Sequence, residues 1–281
     1  MRGPTSVTHL ALERLPSGMR LYGHEIAIME AGPPDGPPIV FLHSSGMSSR
    51  QWRYYARTLG DRGWRALAPD FIGCGGSEAW RGSGPFHFLA DLRMADELIR
   101  RLERPCVLVG HSYGAFLAIQ LASALREKIE RLAVWEPVAW GVLYENDGDG
   151  FHQEQVERGF FDDATGGSEL WMKGFVEWWS GDGAWEAIGE RGREQMMKSA
   201  RKTFEEVRSL GEDQTAAVHY ATITAKTLLM NGTQSPVQAR QVCERLATIV
   251  PNAERLELDA GHLAPMNAIA QVAPALFDWL E

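Results

Sequence analysis

The residues from Val107 to Phe116 constrain the fold more than any other part of the chain. Their sequence, VLVGHSYGAF, joins a short apolar run to a G-x-S-x-G turn and then to a helix that begins with small residues. Gly110 and Gly114 lack the Cβ atom that would crowd a sharp reversal from strand to helix. A serine hydroxyl is a poor nucleophile unless such a turn holds it in the open, beside a base and amide donors. The pattern therefore predicts Ser112 as a nucleophile.

Apolar runs and helical patterns alternate around this turn. Runs typical of buried parallel strands occur at 39–42, 64–70, 106–110, 129–135, 225–230 and 255–258. Amphipathic helical patterns lie between them, for example at 49–60 and 88–102. We also expect an edge hairpin within residues 6–31, with its turn at Pro16-Ser17-Gly18 and with apolar arms that carry Val7, Leu10, Leu12, Ile26 and Ile28. The alternation predicts an α/β fold, a mostly parallel central sheet with helices on both faces.

The alternation stops between residues 138 and 215, where helical patterns occur without a convincing strand. We expect this segment, called the cap below, to be inserted into a core formed by 1–137 and 216–281. Five of the ten tryptophans fall in the cap. Trp140, Trp171 and Trp178 are candidates for binding an apolar acyl or aromatic group, and the same rings could instead anchor the cap to the core.

Composition narrows the class of partner. The chain has 281 residues, 44% of them hydrophobic, and a formal net charge of -9. A strongly acidic protein repels nucleic acids and anionic membranes, so we expect a small-molecule substrate. We find no apolar run of signal-peptide or membrane-helix length. Cys74, Cys106 and Cys243 are not spaced like metal ligands, and an odd number of cysteines is not typical of a disulfide framework. We therefore expect reduced thiols and a cytoplasmic location.

Polar residues follow several of the predicted strands, at the sheet edge where α/β proteins form their crevice. The motifs are HSSG after 39–42, DFIGCGGS around Asp70, GHSYG around Ser112 and DAGH at 259–262. With these motifs and the inserted cap, the chain resembles the α/β-hydrolase fold family over nearly its whole length. The resemblance implies Ser112 as nucleophile and His262 as the general base that takes the hydroxyl proton.

The resemblance also implies an oxyanion hole. One donor would be the backbone N–H of Tyr113, directly after the nucleophile, and the second would come from the loop after residue 42. The family usually has His-Gly in that loop, whereas this chain has His43-Ser44. We therefore expect Ser45 as the second donor, and we expect Ser44 to bring a side chain near the substrate pocket.

The family's catalytic triad has a third member, a carboxylate that orients the histidine, and at this member the chain departs from the family pattern. The usual acid stands in G-x-x-D-P after the strand 225–230, and here Ser235 replaces that aspartate. With Pro236 at the first helical position and Gln238 three residues after the serine, we interpret Ser235 as a helix N-cap in a capping box. Some relatives, including certain haloalkane dehalogenases, carry the acid at the end of the preceding strand, where this chain has Glu136. Glu136 is therefore the candidate acid, with Asp259 as the alternative.

These residues predict a serine hydrolase that acts on a small apolar ester or lactone through an acyl-Ser112 intermediate. Dehalogenases and epoxide hydrolases of this fold use a carboxylate where Ser112 stands. No metal or organic cofactor is implied. Two alternatives stay open: a carbon-carbon bond hydrolase with the same serine and histidine, and a non-catalytic ligand-binding protein that kept the scaffold.

Overall fold

A computed structural model of the chain describes residues 18–147 and 150–281. The strands in these ranges are β1 (Met19–Leu21), β2 (His24–Ile26), β3 (Ile28–Ala31), β4 (Pro38–Leu42), β5 (Arg65–Pro69), β6 (Cys106–His111), β7 (Ile129–Trp135), β8 (Lys226–Gly232) and β9 (Ala253–Leu258). The helices outside the cap are α1 (Arg53–Asp61), α2 (Phe88–Arg100), α3 (Tyr113–Ala124), α10 (Val237–Ile249), α11 (Ala264–Asn267) and α12 (Ile269–Leu280). Those of the cap are α4 (Gly141–Asp147), α5 (Gly150–Glu157), α6 (Glu169–Ser180), α7 (Ala184–Ala187), α8 (Glu190–Met197) and α9 (Ala200–Gly211).

A seven-stranded sheet forms the centre of the fold, with the strand order β3-β5-β4-β6-β7-β8-β9. Strands β4 to β9 pair in parallel, and β3 pairs antiparallel with β5 at one edge. The predicted α/β fold with a mostly parallel sheet is confirmed. The carboxyl ends of β4, β6, β7 and β8 therefore meet at one edge of the sheet, where the crevice of such folds lies.

Both faces of the sheet are covered by helices. Alternate side chains of β4 point to opposite faces of the sheet. Val40 belongs to the apolar core that contains residues of α2, α3 and α10, and Ile39 belongs to the core on the other face, with residues of α1 and α12. Burial of each such side chain stabilises the fold by about 1.5–3 kcal/mol. Helix α3 is buried along nearly its whole length. It packs directly behind the turn at Ser112, which fixes the position of that serine.

The edge hairpin differs from the expectation. Its predicted first arm, with Val7, Leu10 and Leu12, lies outside the described residues. In the described part β1 and β2 form the hairpin, and their turn is Tyr22-Gly23, with φ of 45° and 77°. Positive φ at both central residues is the geometry of a type I′ turn, whose twist suits a two-residue hairpin. Pro16 and Ser17 of the predicted turn also lie outside the described residues.

The cap helices α4 to α9 stand between β7 and β8 in the chain. They have an apolar interior of their own, centred on Phe160, Trp171, Trp185 and Phe204. Other cap side chains reach down to Ser112 and Ser45 and enclose a pocket with them. The cap thus forms the roof of the crevice at the carboxyl ends of the strands.

Candidate active site

The turn between β6 and α3 holds Ser112 in a strained conformation. Its φ of 55° and ψ of -116° lie outside the regions that non-glycine residues favour. A Cβ atom on Gly110 would stand 2.5 Å from the carbonyl oxygen of Gly114, and one on Gly114 would stand 2.3 Å from that of Leu42. Both glycines are therefore required by close backbone approach. Strain of this kind costs about 1–3 kcal/mol and is concentrated at functional sites.

Glu136 lies at the end of β7, one strand along from the Ser112 turn, and also has a positive φ, of 46°. Its carboxylate is fully buried. The Nδ1–H of His262 donates a hydrogen bond of 2.6 Å to Oε2, and the backbone N–H of Gly232 donates one of 2.7 Å to Oε1. Each carboxylate oxygen thus has a donor, and the bond to Glu136 uses Nδ1 of His262 rather than Nε2. The structure brings the candidate acid and the candidate base together.

Asp259 and Ser235 stand apart from this pair. Asp259 is exposed, and its Oδ1 accepts hydrogen bonds from Thr233 and Gln234 at 3.0 and 3.1 Å. The predicted N-cap role of Ser235 is wrong. Pro236 has an extended ψ of 140°, so α10 begins one residue later than expected and no side chain caps it. Ser235 is buried, and its hydroxyl makes no hydrogen bond within the described part of the chain.

The loop after β4 is held by His43. Its Nδ1–H donates to the carbonyl of Ser44 at 2.8 Å, and its Nε2 accepts the backbone N–H of Phe71 at 3.0 Å. Burial lowers the pKa of His43 to about 4, so the ring stays neutral. Ser45 is the second residue of a turn closed from Met47 to Ser44, and its N–H bonds to none of the described residues. A backbone donor is therefore available there.

The N–H of Tyr113 is available as well, because Tyr113 is the first residue of α3 and has no acceptor one turn earlier. The expected pocket contact of Ser44 is not found. Its hydroxyl and its N–H both donate to Oε1 of Gln51, at 2.9 and 3.1 Å, and the side chain is occupied there. Ser45 is the serine of this loop that lines the pocket.

Gln51 and His111 connect the loop after β4 to the loop that carries His262. Their hydrogen bonds form a relay that was not predicted from the sequence. Nε2 of Gln51 donates to Nδ1 of His111 at 3.1 Å, and Nε2–H of His111 donates to the carbonyl of His262 at 2.9 Å. Burial and the neighbouring His262 lower the pKa of His111 well below its usual value. The neutral ring can thus donate on one side and accept on the other, which keeps both loops in fixed positions.

The pocket above Ser112 is lined by aromatic cap residues, namely Trp140, Phe160, Phe175, Trp178 and Trp179. Its volume of about 30 Å³ is on the order of two water molecules. The candidates Trp140 and Trp178 contact the pocket, whereas Trp171 lies inside the cap and donates its Nε1–H to the carbonyl of Phe160 at 3.3 Å.

Trp179 was not among the predicted site residues. Its ring lies face to face with the imidazole of His262, with centroids 3.5 Å apart and planes 16° apart. Helix α6 thereby seats the cap directly on the candidate base. Only the tertiary structure places these rings together, since the two residues belong to distant parts of the chain.

A second group of buried charges, called the lysine cluster below, consists of Lys202 and Glu206 in α9 and Asp91 in α2. Nζ of Lys202 donates to Asp91 at 2.9 Å and to Glu206 at 2.6 Å. Asp91 also accepts the hydroxyl of Tyr113 at 2.9 Å and the N–H of Ile72 at 3.0 Å. Burial lowers the pKa of Lys202, but the two carboxylates outweigh this and the net shift is upward. The cluster joins the cap to the residue that follows the candidate nucleophile.

The fold agrees with comparisons to known proteins. A family model described as the alpha/beta hydrolase family matches residues 39–275, so the chain belongs to that family. A haloalkane dehalogenase from Agrobacterium fabrum is 35% identical over 118 residues, which are 42% of this chain and 37% of the relative. The chain spans less than half the length of the dehalogenases that it matches.

Solved structures match over a larger share of the chain. Epoxide hydrolase A from Mycobacterium thermoresistibile has a TM-score of 0.74 and 19% identity, covering 94% of this chain and 97% of that one. The enol-lactonase from Burkholderia xenovorans has a TM-score of 0.64 and 20% identity, covering 92% and 98%. At such identities the likeness shows the fold alone.

Three further features of the described residues bear on cofactors, membranes and disulfides. His, Cys, Asp and Glu side chains do not gather there in a group that could hold a metal ion. None of the described helices combines the length and the apolar character needed to cross a membrane. The three cysteines are free thiols, and all are buried.

Proposed function

We propose that this protein is a serine hydrolase that cleaves a small ester or lactone through an acyl-Ser112 intermediate, with the cap, 138–215, over a core of 1–137 and 216–281. The observation that carries the proposal is the buried hydrogen bond of 2.6 Å between His262 and Glu136. It occurs at the same sheet edge as a serine held in a strained turn. A nucleophile, a base and a carboxylate that orients the base are the parts that acyl transfer needs.

The reaction follows from these positions. Nε2 of His262 takes the proton of the Ser112 hydroxyl as Oγ attacks the carbonyl carbon. The N–H groups of Tyr113 and Ser45 stabilise the oxyanion. The C–O bond to the alcohol breaks, and His262 returns the proton to the leaving oxygen. Water then attacks the acyl-enzyme with His262 again as base, which releases the acid and restores the serine.

Chemistry argues against dehalogenation, although the matched relatives include haloalkane dehalogenases. A carboxylate that displaces halide forms an ester, which water can hydrolyse at its carbonyl. Ser112 would form an ether under the same attack, and an ether has no carbonyl for a water molecule activated by His262. The serine thus directs the proposal toward substrates that already contain an acyl group.

A serine-directed fluorophosphonate tests the proposal, with the labelled residue identified by peptide mass spectrometry. We expect one label on Ser112 and loss of p-nitrophenyl ester hydrolysis in step with labelling. Ser112→Ala is the control and should take no label. A folded wild-type protein that neither takes the label nor hydrolyses esters or lactones contradicts the proposal. Cleavage of vinylogous diketones alone would instead favour the carbon-carbon bond hydrolase.

A further inference from the structure

Gln155 is a buried polar side chain whose Nε2 has no hydrogen-bond partner among the described residues. It lies on α5 in the cap, is only 7% exposed and lines the pocket above Ser112. More than nine in ten buried polar groups are hydrogen-bonded, and an unpaired one carries a desolvation penalty. The side chain therefore has donor capacity that the folded protein itself does not use.

The surroundings of Gln155 make this exception informative. Apart from Ser45 and Ser112, the other residues that line the pocket are aromatic or aliphatic. Packing alone would favour a methionine or leucine of similar size at this position on a helix. An amide placed in such a wall suits a ligand that brings its own polar atom to that point.

We propose that Gln155 determines substrate specificity by donating a hydrogen bond from Nε2 to an oxygen on the acyl group. This inference rests on the proposed function and extends it, because the substrate would then be an ester or lactone with a second carbonyl oxygen on an otherwise apolar body. The second group is neutral, since none of the described lining residues is charged and a carboxylate there would be buried without a counter-ion.

The same helix offers a matched control. Gln153 is exposed, and its Nε2 already donates to Glu157 at 3.0 Å. Gln153→Met and Gln155→Met therefore make the same chemical change on one helix, once at the surface and once in the pocket. Only the pocket substitution removes the unpaired donor.

The experiment uses two series of p-nitrophenyl esters. The first series has straight-chain acyl groups with an oxo group at carbon 4, 5, 6 or 7. The second series has unsubstituted acyl groups of equal length, called the alkyl esters below. We expect wild type to favour one oxo position by about 10- to 100-fold in kcat/KM. Gln155→Met should bring this ratio near one, and Gln153→Met should keep it. The melting temperature of unliganded Gln155→Met should also rise, by about 2–6 °C, because an unpaired buried amide is gone.

The outcomes separate the two proposals. Equal kcat/KM for oxo and alkyl esters at every position in active wild type overturns the role of Gln155 and leaves the serine mechanism intact. A preference that survives in Gln155→Met overturns it as well. If wild type hydrolyses no ester and takes no fluorophosphonate label, both proposals fall together.

Discussion

Two groups of buried charge lie at the edge of the crevice, and they differ in what they can do. In the first group, Glu136 bonds to His262, the candidate base, and the backbone N–H of Gly232 at the end of β8 holds the carboxylate. In the lysine cluster, the charges come from a core helix and a cap helix, and Lys202 bonds to both carboxylates. The first arrangement suits proton transfer. The second suits fixing the cap in place against the turn at Ser112.

The two groups therefore respond differently to mutation. Removal of a member of the pair should abolish turnover while the fold survives, because the sheet holds the backbone there. Removal of Lys202 should act first on stability, because it leaves two carboxylates buried and unpaired.

Ser112→Ala and His262→Ala should each reduce kcat for a p-nitrophenyl ester by about 10⁶-fold, as in serine proteases whose nucleophile or base is removed. Because the two residues act as a unit, the double variant should be no slower than either single variant. Steady-state kinetics measure this directly. Losses that multiply in the double variant would show that the two residues act independently.

Lys202→Met should lower the free energy of unfolding by about 3–5 kcal/mol, the usual result of breaking a buried ion pair from one side. Lys198, an exposed lysine in the same cap, provides the control. Lys198→Met should change stability by less than about 0.5 kcal/mol. Urea unfolding of the two variants gives the comparison, and equal stabilities would mean that the lysine cluster does not hold the cap.

Stability should also fall in mild acid because of His43. Its pKa in the folded protein is about 4, below the value of 6.5 for an unperturbed histidine. The folded state thus favours the neutral ring, and the associated stabilisation is present above pH 6.5 and is lost as the pH falls toward 4. At about 1.4 kcal/mol for each pH unit, the loss reaches about 3 kcal/mol. Urea unfolding from pH 7 to pH 4.5 measures the slope, which His43→Gln should reduce. An unchanged slope in that variant would contradict the assignment.

Trp179→Leu should reduce kcat by about 3- to 30-fold, because the ring that faces His262 would stabilise the imidazolium formed during attack. Trp171, which lies inside the cap, provides the contrast. Trp171→Leu should lower the melting temperature and leave kcat of the remaining folded protein within about twofold. The reverse pattern would show that the stacking on His262 serves packing only.

The sequence predicted the central architecture because its signals are local. Apolar runs and glycine turns define the buried strands, and the predicted strand 129–135 coincides with Ile129–Trp135. The positions of Ser112, Glu136 and His262 at strand ends follow from the same pattern, and the proximity of the last two agrees with that expectation.

The remaining features depend on contacts between distant segments. Lys202 and Asp91 are 111 residues apart, and nothing local in either segment identifies the partner. The relay through Gln51 and His111 and the stacking of Trp179 on His262 arise in the same way. Trp171 was a candidate on composition alone, and a tryptophan-rich helix presents rings on more than one face, so composition could not tell Trp171 from Trp179.

The most direct measurement compares kcat of Glu136→Gln with that of Asp259→Asn. Glutamine keeps an oxygen for the N–H of Gly232 but removes the charge that faces His262. We therefore expect kcat to fall by about 10⁴-fold, the effect of the corresponding change in serine proteases. Asp259→Asn should stay within a few-fold of wild type, because Asp259 bonds only to Thr233 and Gln234 among the described residues. Near-normal turnover in Glu136→Gln, or a large loss in Asp259→Asn, would contradict the assignment of Glu136 as the acid that orients His262.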